Sequence, residues 1–200
     1  MRTPLLLAVL ATAAFAATGC AGGSATPAAT AATPGDTTQH GAPRVAAPLD
    51  YAKAAAKPCS LLTVPQLKTL GMPGVEGKQG TGSAGPVCGW NDTSGTSGQN
   101  VSFTFTTGNS GLDRVYELKN TYQLFELQAP LQGYPTLLNA PTDDRKKGAC
   151  SLVVGISDTQ ILTTSVQMRT GTKPAPRVVE PCTVAREAAD LALTSIRDGA

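Results

Sequence analysis

Five cysteines in a chain of 200 residues constrain its fold more than any other feature of the sequence. Cys59, Cys88, Cys150 and Cys182 can close two disulfides, which leaves Cys20 without a partner. Because structural disulfides persist in oxidising compartments, this count indicates an exported protein. No two cysteines are separated by only two to four residues, which argues against both a zinc site and a redox dithiol.

The first residues have the layout of a secretory signal. Arg2 precedes an uncharged run over residues 3–19, which is shorter than the roughly 20 apolar residues that a membrane-spanning helix needs. The run ends in Ala17-Thr18-Gly19-Cys20, which resembles the lipobox of bacterial lipoproteins. That resemblance implies that residues 1–19 are a signal peptide and that Cys20 carries the lipid. Ordinary signal cleavage near Ala14-Phe15-Ala16 is the alternative.

Composition divides the remainder of the chain in two. Residues 20–48, which begin at the lipidated amino terminus, are rich in Ala, Thr, Pro and Gly and lack aromatic residues, which predicts a disordered linker. His40, the only histidine, is interpreted as a solvated residue of this linker. Residues 49–200 are predicted to form a single domain, a length sufficient for one core. A formal net charge of +2 argues against nucleic acid as a partner.

Alternating apolar and polar residues predict strands in this domain. Val101, Phe103 and Phe105 alternate with hydroxyl side chains, which indicates one core face and one solvated face. Similar alternation predicts strands over residues 86–90, 99–106, 125–129, 150–156 and 161–168. A turn is predicted at residues 132–135, and residues 77–83 are predicted to be a flexible connector.

Three helices are predicted around these strands. Thr63 and Gln66 have the spacing of a capping box, which predicts a helix over residues 64–70. A second helix is expected after residues 109–110, and a third begins at Pro181 with a stripe of small residues suited to close packing on a sheet. The predicted fold class is therefore α+β, an antiparallel sheet packed by helices and braced by two disulfides.

Four cysteines allow three pairings, and the sequence does not choose among them. We favour Cys59 with Cys88 and Cys150 with Cys182, because each bridge would then tie the start of a helix to a strand. Each would also close a loop of about 30 residues. Cys59 with Cys182 and Cys88 with Cys150 is the alternative considered.

A set of short motifs occurs in a characteristic order: Pro58-Cys59-Ser60-Leu61-Leu62, Cys88-Gly89-Trp90, Gly133-Tyr134-Pro135, a strand cysteine at Cys150, and Pro181-Cys182. Together with the lipobox and linker, this pattern resembles a family of actinobacterial secreted lipoproteins known as a domain of unknown function. The resemblance implies a location and a fold. It implies lipidation of Cys20 and disulfides at the other four cysteines, and no catalytic residue.

Candidate chemistry is sparse. A domain without histidine excludes Ser-His-Asp and Cys-His catalysis. A carboxylate pair remains conceivable, and the candidate acids are Asp92, Asp113, Glu117, Glu126 and Asp158. Asp113 and Glu117 share a predicted helix with basic residues, so a solvated helix surface is the simpler interpretation.

Two aromatic residues stand out. Trp90 lies two residues after Cys88 and is expected to pack beside the bridge in the core. Tyr134 lies in the Gly-Tyr-Pro turn, where it is the candidate rim of a ligand groove, although a purely structural turn is the simpler interpretation.

The functional expectation follows from export and from the lack of assembled catalytic groups. We expect a lipid-anchored, extracytoplasmic envelope protein, attached to the cell membrane, that is a non-enzymatic binding or accessory module. Its partner would be an envelope protein or a small cell-wall or lipid ligand, and no cofactor or metal is implied. The alternative is a carboxylate-dependent enzyme that acts on cell-envelope glycans.

Overall fold

The computed structural model describes residues 37–108, 111–170 and 180–200. The predicted signal peptide, the lipidation site Cys20 and the first part of the predicted linker lie outside the described residues. Within them, no helix is long and apolar enough to cross a membrane.

Seven strands of the described residues form one antiparallel sheet. They are β1 (Gly77–Thr81), β2 (Pro86–Asn91), β3 (Gln99–Phe105), β4 (Leu124–Leu131), β5 (Tyr134–Ala140), β6 (Ala149–Ser157) and β7 (Gln160–Met168). Their order across the sheet is β1-β2-β3-β7-β6-β5-β4. All neighbouring strands in this sheet pair antiparallel. Strands β1 to β3 form one meander and β4 to β7 another, and the two meet where β3 pairs with β7. The strands predicted from alternation are therefore confirmed as parts of one sheet.

The described helices are α1 (Ala52–Ala56), α2 (Val64–Thr69), α3 (Leu112–Glu117) and α4 (Pro181–Arg197). The predicted capping box of α2 is present, since Thr63 accepts a hydrogen bond from the Gln66 backbone N–H while the Gln66 side chain accepts from the Thr63 backbone N–H. Three short 3-10 turns lie at Pro58–Leu61, Lys119–Thr121 and Arg145–Lys147.

The main core lies on the face of the sheet that α4 covers. The predicted small-residue stripe of α4 faces β6 and β7, and Ala185, Ala189 and Ala192 are fully buried there. Their short side chains allow the helix to approach the sheet closely. Trp90 and Phe103 complete this core in an edge-to-face pair with ring centroids 5.8 Å apart.

Two disulfides link helical elements to the sheet. Cys59, in a 3-10 turn, pairs with Cys88 of β2, and Cys150 of β6 pairs with Cys182 at the start of α4. This is the pairing that we favoured on sequence grounds. Each bridge holds a helical element against a strand, with 5.1 Å between the two Cα atoms.

One local prediction is wrong and another is right except in its extent. Residues 77–83 were expected to be a connector, yet Gly77–Thr81 is the edge strand β1, paired along its length with β2. The turn expected at residues 132–135 is shorter: Gln132 and Gly133 alone form it, both at positive φ, and Tyr134 already pairs with Leu131. This geometry is a two-residue hairpin turn that matches the twist of the strands.

The end of the predicted linker also differs from the expectation. Residues 37–48, which we call the amino-terminal strap, pack against the domain rather than lying in solvent alone. Ala42 is buried in a small core beside α3 and Val45 is buried in the main core, and the Val45 backbone N–H donates to Asp158 at 2.8 Å. The composition of the strap held no sign of this, because its few apolar contacts are made with residues far away in the chain.

Candidate functional site

The candidate site lies on the face of the sheet opposite α4. Successive side chains of a strand point to opposite faces, so burial of Val101, Phe103 and Phe105 on the α4 side places Asn100, Ser102 and Thr104 on the other. The same alternation on β7 buries Leu162, Thr164 and Val166 toward α4 and turns Thr163, Ser165 and Gln167 to the second face. The two central strands therefore present polar side chains on that face.

Strand register aligns these side chains in rows. Ser102 lies opposite Ser165, and Ser165 lies opposite Ser151 of β6, which makes a row of three serines across three strands. The Ser151 hydroxyl lies 3.5 Å from the amide oxygen of Asn139 on β5 and extends the row. Asn100 lies opposite Gln167 in the next row. Residues that are distant in sequence thus form one continuous polar floor.

The floor is half-buried, yet the fold leaves much of its hydrogen-bonding capacity unused. Among the described residues, five of its side chains make no hydrogen bond, namely Asn100, Ser102, Thr104, Thr163 and Ser165. Fully buried polar groups are usually hydrogen-bonded within the protein, whereas these half-buried side chains are within reach of solvent. Here they remain available to water or to a ligand.

Part of the second face is covered by α3 and the amino-terminal strap. Leu112 and Val115 of α3 pack with Ala42, Val153 and Ile161 in a small second core. Tyr122 and Phe125, which follow α3 in the chain, also pack against this core. The polar floor adjoins it at Asn139 and Thr163.

Two adjoining depressions follow the edge of this cover, and we refer to them together as the polar groove. The first, of about 410 Å³, is lined by Asn100, Ser102, Ser151, Ser165 and Gln167 among others. The second, of about 360 Å³, lies against α3 and is lined by Val115, Leu118, Tyr122, Asn139 and Thr163 among others. They share Ala140, Pro141 and Ser151, so the floor is continuous between them.

The charged groups at the groove are already paired within the protein. Asp144 lines the first depression and forms an ion pair with Lys147, whose Nζ atom lies 2.8 Å from the Asp144 Oδ1 atom. This contact raises the pKa of Lys147. Arg114 lines the second and lies 2.5 Å from Glu117. The groove is therefore polar but close to neutral.

The five candidate acids do not converge on a reaction centre. Asp92 binds Ser97, whose side-chain and backbone hydrogen bonds lower the pKa of the Asp92 carboxyl. Each of the other four acids is paired with a different group. Asp113 contacts His40 of the strap. Ion pairs join Glu117 to Arg114, Glu126 to Arg145 and Asp158 to Arg44. None of the five lines the polar groove. The structure thus assembles no carboxylate pair from these residues at the groove.

His40 is exposed, as expected, but it contacts the domain rather than lying free in a linker. Its ring Nδ1 lies 2.8 Å from the Asp113 Oδ2 atom, and its backbone N–H donates to Asp113 Oδ1 at 2.7 Å. The Thr38 hydroxyl also donates to Asp113. We call this set the strap clasp. Sequence reasoning missed it because the partners are more than 70 residues apart.

Tyr134 is not a groove rim. It is only 8% exposed and belongs to the main core on the α4 side, because it starts β5 with its side chain on that face. The aromatic residue that does line the groove is Tyr122, which follows the turn after α3. Its helical spacing from Leu112 and Val115 was visible in the sequence, but the open floor beside it was not.

Trp90 lies where the sequence predicted it. It is 1% exposed, and both its ring and the Cys88 Sγ atom border the position of Gly77 on the neighbouring strand. Among the residues that the structure describes, no group of three or more His, Cys, Asp or Glu side chains is arranged to hold a metal ion.

Comparison with known proteins gives a family and no activity. No curated protein and no solved structure matches the chain. The family described as "Protein of unknown function (DUF3558)" matches residues 15–195. This match covers nearly the whole sequence, including every described strand and all but the last two residues of α4. The chain is therefore a member of the DUF3558 family of proteins of unknown function.

Proposed function

We propose that the protein is a lipid-anchored, extracytoplasmic binding module whose ligand occupies the polar groove. The observation that carries this proposal is the unused polar floor at the centre of the sheet. If this face of the sheet had no role beyond solubility, charged and fully solvated side chains would be sufficient there. A half-buried floor of hydroxyls and amides beside an apolar wall instead combines convergent polar groups with apolar surface, as ligand sites do.

Binding is favoured over catalysis because the acids of the domain are separated and occupied. Glycosidase chemistry requires two carboxyl groups that face one bond. In the polar groove the sole carboxylate among the described lining residues is Asp144, and it is paired with Lys147. The groove therefore offers recognition groups without an acid and base pair.

The anchor is supported by the sequence. Four cysteines are used in the two disulfides, so Cys20 is the one cysteine left for acylation. The strap begins at residue 37, which leaves residues 21–36 between the proposed lipid and the domain. We expect intact-mass analysis of the protein from its host to show a chain that begins at an acylated Cys20. An unmodified amino terminus elsewhere would contradict the anchor.

The binding role is tested by native mass spectrometry of the full-length mature protein, extracted from host membranes in mild detergent. We expect a bound small molecule on the wild-type protein. Ser165→Trp should abolish the adduct because the indole would fill the first depression. Ser94→Trp, in the exposed loop between β2 and β3, should retain it. An adduct that survives Ser165→Trp would place binding outside the groove.

A further inference from the structure

We infer that the ligand of the polar groove is a neutral saccharide of at least two sugar units. This inference rests on the proposed binding function and adds the chemical class of the ligand. It is drawn from three properties of the groove: the chemistry of its floor, its charge and the shape of its wall.

The floor matches a polyhydroxylated ligand. Each serine or threonine hydroxyl can donate one hydrogen bond and accept two, and each asparagine or glutamine amide can donate and accept at once. Sugar hydroxyls have the same dual capacity. Ser102 and Ser165, together with Asn100, therefore offer complementary partners whichever way a sugar hydroxyl points.

The charge of the groove disfavours an ionic ligand. Asp144 and Arg114 are compensated by Lys147 and Glu117. A phosphate, sulfate or uronic acid placed on the serine row would lose hydration without gaining an opposite charge. A neutral ligand has no ionic charge to desolvate, and the floor can replace the hydrogen bonds that its hydroxyls make with water.

The wall of the second depression supplies an apolar surface next to the polar floor. Leu118, Tyr122 and Val115 line it on the α3 side, while Asn139 and Thr163 form its floor. A sugar ring has C–H groups on its faces and hydroxyls on its edge, so it can pack against the wall and hydrogen-bond to the floor simultaneously. An aromatic side chain suits this packing because its face is electron-rich.

The size of the groove sets the length of the ligand. Each depression lies within the usual range for small-molecule sites, about 300–1,000 Å³, with volumes of about 410 and 360 Å³. Because Ser151 borders both, one molecule can extend from one to the other. This arrangement accommodates one sugar unit in each depression.

The test is isothermal titration of the full-length mature protein in detergent. The probes are neutral tetrasaccharides of glucose, mannose, galactose, arabinose and N-acetylglucosamine, a galacturonic acid tetrasaccharide, and a water-soluble short-chain phosphatidylglycerol. We expect at least one neutral tetrasaccharide to bind about tenfold or more tightly than the galacturonic acid probe. Its monosaccharide should bind more weakly, because it fills only one depression.

Variants locate the binding. Ser165→Ala should weaken the neutral tetrasaccharide about threefold to tenfold, the effect of one lost hydrogen bond, and Ser165→Trp should abolish binding. Ser94→Trp is the matched control and should bind as the wild type does. Circular dichroism and thermal unfolding of all variants establish that they are folded.

Two results would overturn the inference and are distinguishable from each other. If the galacturonic acid probe or the short-chain phosphatidylglycerol binds instead, and Ser165→Trp removes that binding, the groove is a site for another ligand class and the proposed binding function stands. If no probe binds and no molecule accompanies the protein in native mass spectrometry, both the saccharide and the binding function are wrong.

Discussion

At the scale of single residues, the position of Gly77 has no room for a larger side chain, because the Cys59–Cys88 disulfide and Trp90 lie against it. A Cβ atom on Gly77 would lie 2.8 Å from the Cys88 Sγ atom and 2.9 Å from the Trp90 ring, and neither neighbour is free to move away. We expect Gly77→Ala to lower the free energy of unfolding by about 1–3 kcal/mol, the usual cost of overpacking. Chemical denaturation followed by Trp90 fluorescence measures this directly.

Gly80 on the same strand is the matched control for that substitution. The nearest atom to its added Cβ is Val87 Cγ1 at 3.7 Å, an ordinary contact. Gly80→Ala should therefore leave stability nearly unchanged. Equal stability of the two alanine variants would show that the edge strand β1 shifts freely and that Gly77 is not constrained by the bridge.

At the scale of elements, the strap clasp connects the amino-terminal strap to α3. Burial raises the pKa of Asp113, but hydrogen bonds from Thr38 and His40 outweigh it, so the net pKa lies below its ordinary value. A folded pKa below the unfolded one means that the stabilisation is complete above the unfolded pKa. It is lost as the pH falls through the folded pKa. We expect the strap to detach under acid conditions before the sheet unfolds.

Hydrogen–deuterium exchange of residues 37–48, corrected for intrinsic rates, tests the clasp. Asp113→Asn should speed their exchange about tenfold at neutral pH, as expected for a lost hydrogen bond to a charged group. Exchange in β6 and β7 should not change. Glu117→Gln is the control on the same helix, since its carboxylate binds Arg114 and not the strap. Unchanged strap exchange in Asp113→Asn would show that other contacts hold the strap.

The two disulfides act on different elements but close loops of similar length, with sequence separations of 29 and 32. In the chain-entropy account each contributes about 3.5 kcal/mol to the free energy of unfolding. We expect Cys59→Ala/Cys88→Ala and Cys150→Ala/Cys182→Ala to lose similar stability in urea denaturation. A large difference between the double variants would mean that native contacts, rather than loop closure, decide the contribution of each bridge.

At the scale of the whole molecule, the strap adds residues 37–48 to the folded region, which was predicted to begin at residue 49. A chain that begins at Leu49 would lose Val45 from the main core and Ala42 from the second core. We expect it to be less stable by on the order of 2 kcal/mol than a chain that begins at Thr37, because burying one valine contributes about that much. Urea denaturation of both chains measures the difference, and identical midpoints would refute this role of the strap.

The sequence by itself determined the local elements of this protein. Alternation in residues 99–106 and 150–156, the capping box at Thr63 and Gln66, and the small-residue stripe of α4 each lie within one short window. In such a window the period of the side chains is a direct consequence of strand or helix geometry. The inward position of Trp90 followed from the same rule, because it lies two residues from Cys88.

Only the tertiary structure decided which elements meet. The glycine-rich β1 has no apolar alternation and is a strand because β2 supplies its hydrogen bonds. His40 and Asp113 are paired only because the strap lies over α3. The polar groove exists because register aligns Ser102, Ser165 and Ser151 from three strands. Such contacts depend on the pairing of distant segments, and no local pattern of residues encodes that pairing.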